Sequence, residues 1–223
     1  MLVVDGKQMK AIDTYAIENL KIPSLALVER ASLAILKNIN LDIRNSFAIV
    51  VGLGNNGADG LALARNLLAL DKRVEVYILG DTKKASRDFI INLNAVKTLT
   101  DRVYPLVSLE DLSFMENNLR EVSTIIDGIF GTGLNRPIKP PHSFAIAAIN
   151  KTLKYTISID IPSGLDASTG RSFGEVVDCD LIVSMQLMKK GVYEKSDLRS
   201  KCLVEDIGIP KLAIKKVLAR DLL

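Results

Sequence analysis

The sequence predicts an α/β protein: a three-layer α/β/α arrangement around a doubly wound, mostly parallel sheet, with two extra helices in front of it. Three observations predict it. Short apolar runs alternate with segments of helical period along most of the chain. Three glycine-punctuated loops each follow an apolar run: GLGNNGADG at 52–60, DGIFGTGLNRP at 127–137 and DIPSGLD at 160–166. No internal repeat, low-complexity tract or long linker breaks the alternation. A chain of 223 residues, 48% of them hydrophobic, has the size and apolar content for one core. A single domain over 1–223 is therefore expected, with N-terminal helices over 7–40 and a sheet unit over 46–223.

Each element follows from its local pattern. Met9, Ile12, Ala16 and Leu20 recur at helical spacing; Ile22-Pro23-Ser24 then interrupts, and LALVERASLAIL forms a second apolar-faced helix that Ser24 is expected to cap. Residues 47–51 are a continuous apolar strand, 60–70 a helix and 74–79 another strand. That makes a βαβ unit, whose strands pair in parallel. Further strands are expected at 103–107, 122–127, 155–160, 181–185 and 201–204, with helices near 84–98, 109–118, 141–152 and 210–219. The stretch at 185–200, MQLMKKGVYEKSDLRS, is polar and reads as a mobile loop.

Composition removes several classes of function. The balance of 29 Lys and Arg against 26 Asp and Glu gives no basic field for nucleic acid or anionic lipid, and 5% aromatic residues without Trp give no stacking platform for single strands. Cys179 and Cys202 have neither metal-type spacing nor the density of a disulfide framework. The start of the chain lacks the charged and apolar regions of a leader, and no apolar run reaches membrane-spanning length. A cytoplasmic protein whose partners are small molecules or protein surfaces is expected. His142, the sole histidine, follows Pro140-Pro141 at a helix start and reads as an exposed turn residue.

In a parallel sheet the carboxyl ends of neighbouring strands share one edge, so the three loops can converge on one ligand. In the first, Gly52, Gly54 and Gly57 form G-x-G-x-x-G between a strand and a helix, a Rossmann-like signal. Asp81 lies near the place of a ribose-binding acid, which keeps an NAD-dependent oxidoreductase in view. Any one of Asn55, Asn56 and Asp59 alone reads better as a helix cap, but the three at adjacent turns argue for more than a pyrophosphate turn. The second loop opens on Asp127 at a strand end; Gly131, Thr132 and Gly133 then permit close backbone approach. Arg136, beside Pro137, is either an anion contact or a solvated side chain. The third opens on Asp160, either an acid or base or the cap of the next turn, and turns through Ile161-Pro162-Ser163-Gly164. Asn56, Asp127 and Ser163 together offer hard oxygen donors for a monovalent or divalent cation, potassium being a reasonable candidate.

At these residues the chain resembles a known family. NNGADG at 55–60, DGIFGTGLNRP at 127–137 and DIPSGLDASTG at 160–170 are similar to motifs of the NAD(P)H-hydrate epimerases, the YjeF N-terminal domain family; IPSLALVERAS at 22–32 and DIGIP at 206–210 extend the likeness. The resemblance implies a Rossmann-like domain, usually a homodimer, that interconverts the R and S forms of hydrated NADH and NADPH. It implies substrate contacts from Asn55, Asn56, Gly57, Ala58, Asp59, Gly131, Thr132, Gly133, Leu134, Asn135, Arg136, Pro137 and Asp160, and a potassium ion held by Asn56, Asp127 and Ser163. Asp160 is the expected proton carrier, with Asp59 second. The chain's end shortly after its last strand implies no fused dehydratase, so a separate ATP- or ADP-dependent dehydratase would take up the product.

Five positions, at four places, depart from the family pattern. Ala58 stands for the second glycine of NNGGDG, adding a methyl group where backbone is expected to meet ligand. Ser32 replaces a helix glycine, Lys190-Gly191 a frequent Pro-Gly, and Met185-Gln186 a Thr-Phe pair, so altered activity is expected from the wall near 184–192. Two other readings stay open: a non-catalytic interaction scaffold on the same fold, against which Asn56, Asp127, Asp160 and Ser163 argue, and the oxidoreductase above, for which no hydride-transfer constellation is present.

Overall fold

A computed structural model of the chain describes residues 1–219. Strand β1 (Val3–Val4) leads into helix α1 (Gly6–Thr14). A capping box starts that helix: Asp5 accepts the Gln8 N–H at 2.7 Å and Gln8 Oε1 accepts the Asp5 N–H at 3.0 Å. The chain continues through a π-turn, Tyr15–Asn19, and resumes as α2 (Ser24–Lys37). Ser24 is the first helical residue here and Pro23 holds the cap position, without a side-chain hydrogen bond.

The sheet unit follows as β2 (Ser46–Val51), α3 (Asn55–Ala69), β3 (Arg73–Leu79), α4 (Arg87–Leu99), β4 (Val103–Leu106), α5 (Leu109–Asn118), β5 (Thr124–Gly128), α6 (His142–Thr152), β6 (Tyr155–Ile159) and β7 (Leu181–Met185). It closes with β8 (Met188–Lys189), α7 (Lys190–Tyr193), α8 (Ser196–Ser200), β9 (Cys202–Glu205) and α9 (Lys211–Leu218). Seven strands pair in parallel in the order β4-β3-β2-β5-β6-β7-β9, while β1 pairs with β8 in a separate parallel ribbon. The chain enters at the centre and winds outward first one way, then the other. The winding reverses between β2 and β5, and the crevice of such a sheet lies there.

Alternation along each strand divides the core. Phe47, Ile49 and Val51 of β2 pack with Ile12, Ile35, Leu61 and Phe89 from α1, α2, α3 and α4; Ala48 and Val50 pack with Met115, Ile146 and Ile149 from α5 and α6. Two expectations change. The segment read as a loop up to Gly60 is already helical from Asn55, so Asn55, Asn56 and Asp59 project from the first turns of α3. The stretch at 185–200 is ordered as β8, α7 and α8, with Met188 and Lys189 buried.

Candidate active site

A cavity of about 540 Å³ opens at the carboxyl edge of the sheet. The three predicted loops meet in it: Asn55, Asn56 and Asp59 from α3, the whole of Gly131–Arg136, and Asp160 beyond β6 all contribute to its wall. Helix α1, the π-turn after it and helix α2 supply the apolar side through Met9, Ile17, Leu27 and Val28. The amino end of α3 faces this space with no side-chain cap, leaving free backbone N–H groups suited to an anionic group.

Gly57, Ala58 and Pro137 do not line the cavity. A Cβ on Gly57 would stand 1.8 Å from the Gly52 carbonyl oxygen, so this glycine lets α3 lie against the end of β2. The methyl group of Ala58 lies in the core at 0% exposure and not against ligand space. Its departure from the family pattern is therefore a packing feature. Ala58→Gly is expected to leave KM unchanged while costing about 1–2 kcal/mol in helix propensity and buried methyl. Chemical denaturation and saturation kinetics check this; a several-fold lower KM in the variant would put the methyl group back at the ligand.

Asp127 sits at 0% exposure on β5, in register with Val50 and Ser158. Burial raises its pKa, and hydrogen bonds work against that rise. Its carboxylate accepts from the Ser158 hydroxyl at 2.8 Å, the Ser163 N–H at 2.9 Å, the Ile129 N–H at 3.3 Å and the Ser163 hydroxyl. The Ser163 hydroxyl also reaches the Phe130 carbonyl at 3.2 Å, and Asn56 Nδ2 donates to the same carbonyl at 3.1 Å. Asn56, Asp127 and Ser163, from three separate segments, are thus joined in one oxygen-rich knot through Phe130.

Asp160 occupies a left-handed backbone conformation, φ 68°, directly after β6. Its Oδ1 accepts the Met185 N–H at 3.1 Å and is ion-paired with the ammonium of Lys189. Its side chain reaches across to β7 and β8, so neither sequence-based alternative describes it fully. Four charged residues of the wall, Lys10, Asp13, Asp88 and Lys189, escaped the sequence reading, and two of them bear on the chemistry. Lys189 is fully buried and lines the cavity, inside the stretch taken for a polar loop. Asp13 lines it from α1, and its signal was present: with Met9, Ile12 and Ala16 it completes an i, i+3, i+4, i+7 set on the buried face.

The carboxyls crowd one another. Burial first, then Asp160, Asp13 and Asp88, hold Asp59 well above the usual carboxylate range, with Lys189 pulling the other way. Burial and then Asp160 push Asp13 from 3.8 up to about 7, again against Lys189. Folded Asp13 holds its proton more tightly than unfolded Asp13 does. Its contribution to stability is therefore complete below 3.8 and is lost as pH rises through about 7. The urea midpoint should fall between about pH 5 and about pH 8, and less so in Asp13→Asn. Identical pH dependence in the two proteins would remove Asp13 as the source.

Other predicted features resolve differently. Asp81 is exposed, accepts the Lys83 N–H at 3.0 Å as the cap of a short turn, and does not line the cavity, so the oxidoreductase reading loses its ribose acid. Arg136 is exposed at the cavity wall. His142 is half-buried, with its ring stacked on Phe130 at 5.0 Å; burial, then Arg136, lowers its pKa. The expected exposed turn residue is a packed one. Ser32 is buried, donating to the Glu29 carbonyl at 2.8 Å and accepting from Asn66 at 2.9 Å.

Fold and site together define a class: a doubly wound α/β protein with a carboxylate-rich ligand cavity at its topological switch point. The YjeF-related protein N-terminus family matches residues 24–191, and the chain belongs to that family. It is 65% identical over 98% of its length to the whole of the NAD(P)H-hydrate epimerase of Anaerococcus prevotii. It is 34% identical over 93% of its length to 97% of the NAD(P)H-hydrate epimerase of Oenococcus oeni. With the bifunctional NAD(P)H-hydrate repair enzyme Nnr of Moorella thermoacetica it shares 32% identity over 95% of this chain and 41% of that one. The crystal structure of the yeast protein ynu0 superposes with a TM-score of 0.78 at 18% identity, covering 92% of this chain and 88% of that one, and so shares the fold.

Proposed function

We propose that this chain is an NAD(P)H-hydrate epimerase, an isomerase that interconverts the R and S forms of hydrated NADH and NADPH. The observation that carries the reading is the meeting of Asn55, Asn56, Asp59, Gly131–Arg136 and Asp160 in one cavity. The 65% identity to a relative bearing that name supports it. In the substrate, water has added across a ring double bond and left a hydroxyl beside the ring nitrogen. The hydroxyl leaves as water when the nitrogen lone pair pushes and an acid supplies a proton. Water then returns from either face of the planar cation and gives a proton back, so no electron is gained or lost. This chemistry asks for two proton carriers in different states. Asp160, paired with Lys189, suits the accepting role, and Asp59, whose carboxyl burial holds well above the usual carboxylate range, the donating one.

Asn56, Asp127 and Ser163 would hold a potassium ion. The Asp127 carboxylate, the Ser163 hydroxyl and Asn56 Oδ1, whose amide nitrogen holds the Phe130 carbonyl, are the weakly charged oxygen donors that an alkali cation would take. Bound there, the ion would supply positive charge and hold the 127–137 and 160–166 loops together. The reading carries with it a cytoplasmic homodimer, a single domain over 1–223 and coupling to an ATP- or ADP-dependent dehydratase that accepts one epimer. The bifunctional relative supports coupling to a further repair activity. Among the described residues no helix is long and apolar enough to cross a membrane.

The test is a coupled assay with a stereospecific dehydratase and the epimer it cannot use. Dehydration that appears only when this chain is added supports the reading; unchanged R and S populations at high enzyme concentration would end it.

A further inference from the structure

The buried cation at the site has no part in the family motifs quoted above, and it is held by three acceptors. We propose that Lys189 is the positioning residue of the epimerase site, locking the Asp160 carboxylate by one oxygen so that the other is presented to substrate. The inference rests on the functional reading above.

Three features support it. The lysine ammonium has three N–H donors, and three acceptors surround it: the Met185 carbonyl at 2.6 Å, Ser184 Oγ at 3.3 Å and Asp160 Oδ1. An ammonium with every donor engaged and 0% exposure is poorly placed to exchange protons with a ligand, but it can fix what it holds. Asp160 Oδ1 also accepts the Met185 N–H, so both of its partners come from the β7–β8 turn. Oδ2 has no partner among the described residues, and it belongs to a side chain that lines the cavity.

The lysine itself is clamped from both sides of the chain. Its backbone pairs in register with Val4 of β1, and the Gly191 N–H just beyond it binds the Ala167 carbonyl at 2.8 Å. The ion pair in turn offsets the cost of holding Asp160 at φ 68°. Asp13 from α1, Asp59 from α3 and Asp88 from α4 are the other acidic groups at this wall, and Lys10 and Arg136 the other cations. Neither of those two cations is ion-paired with a carboxylate among the described residues.

A double-mutant cycle in the full chain tests the assignment, using Asp160→Asn, Lys189→Met and the two combined. A positioning role predicts that Lys189→Met loses about 10²-fold in kcat with KM within about threefold, and that the double variant is no slower than Asp160→Asn alone. Losses that multiply in the double variant would mean that Lys189 acts on substrate independently, and wild-type kcat in Lys189→Met would mean that it positions nothing; either overturns the proposal. If Lys189→Met alone does not fold, comparison of Asp160→Asn with the charge-free pair still decides the matter. A wild-type chain that does not epimerise overturns the functional reading, and the inference with it, whereas an active wild type with an unimpaired Lys189→Met overturns the inference alone.

Discussion

Replacing Asp160 with Asn is expected to lower kcat for epimerisation by about 10²–10⁴-fold, the range a positioned acid or base contributes. The substitution is chosen so that little else changes. Asn keeps the side-chain shape and still offers an oxygen to the Met185 N–H and the Lys189 ammonium. It is also one of the few residues that accept the left-handed backbone found here at φ 68°. What it loses is the capacity to carry a proton, together with the charge that balances a buried ammonium. The second loss should cost on the order of 1–3 kcal/mol of stability, because a charged donor keeps only a neutral acceptor. Single-turnover kinetics and a thermal melt separate the two effects. A folded Asp160→Asn protein with full activity would pass the role to Asp59, whose burial-raised pKa makes it the other carrier at the site.

Gly57→Ala should produce the largest loss of stability of any single methyl addition at the site. The new Cβ would lie 1.8 Å from the Gly52 carbonyl oxygen and 3.2 Å from Phe89 Cδ2; the first neighbour is backbone at the end of the central strand and cannot rotate away. Helix α3 would have to lift from β2 at the point where Asn56 and Asp59 enter the site. Overpacking against unyielding atoms should cost about 3 kcal/mol or more. In a chain of this length that lowers the melting temperature by roughly 6–12 °C. Activity should fall with it, because Asn56 and Asp59 ride on the displaced turn. A Gly57→Ala protein melting within a degree or two of the parent would show that α3 packs less tightly on β2 than these distances require.

The two substitutions also show where sequence reasoning reached its limit. Gly57 is legible as a loop glycine of a Rossmann-like signal, and the family resemblance places it among the substrate contacts. The structure assigns it to helix–strand contact, one residue before an alanine whose methyl group faces the core. Asn-Asn-Gly has poor helix propensity, so local preference ends the loop late. Packing of Leu61, Ala64 and Leu67 into the core overrides that preference and starts the helix at Asn55. The polar stretch at 185–200 was misjudged for a related reason. A lysine in a polar run is normally solvated, and only a carboxylate 29 positions earlier, brought alongside by parallel pairing of β6 and β7, makes its burial tolerable.

What the sequence determined by itself is whatever a short window can hold: alternating apolar runs that become strands and helices, the order of three loops, and a shared sheet edge that makes them converge. Strand period and loop chemistry are local, so they survive without coordinates. What only the tertiary structure decided is the electrostatic arrangement inside the cavity: Asp13 on α1, Asp59 on α3 and Asp160 after β6 gathered around one buried ammonium. Charges interact through space and through the low-dielectric interior that folding creates, and neither separation nor burial is encoded in any local stretch of the chain.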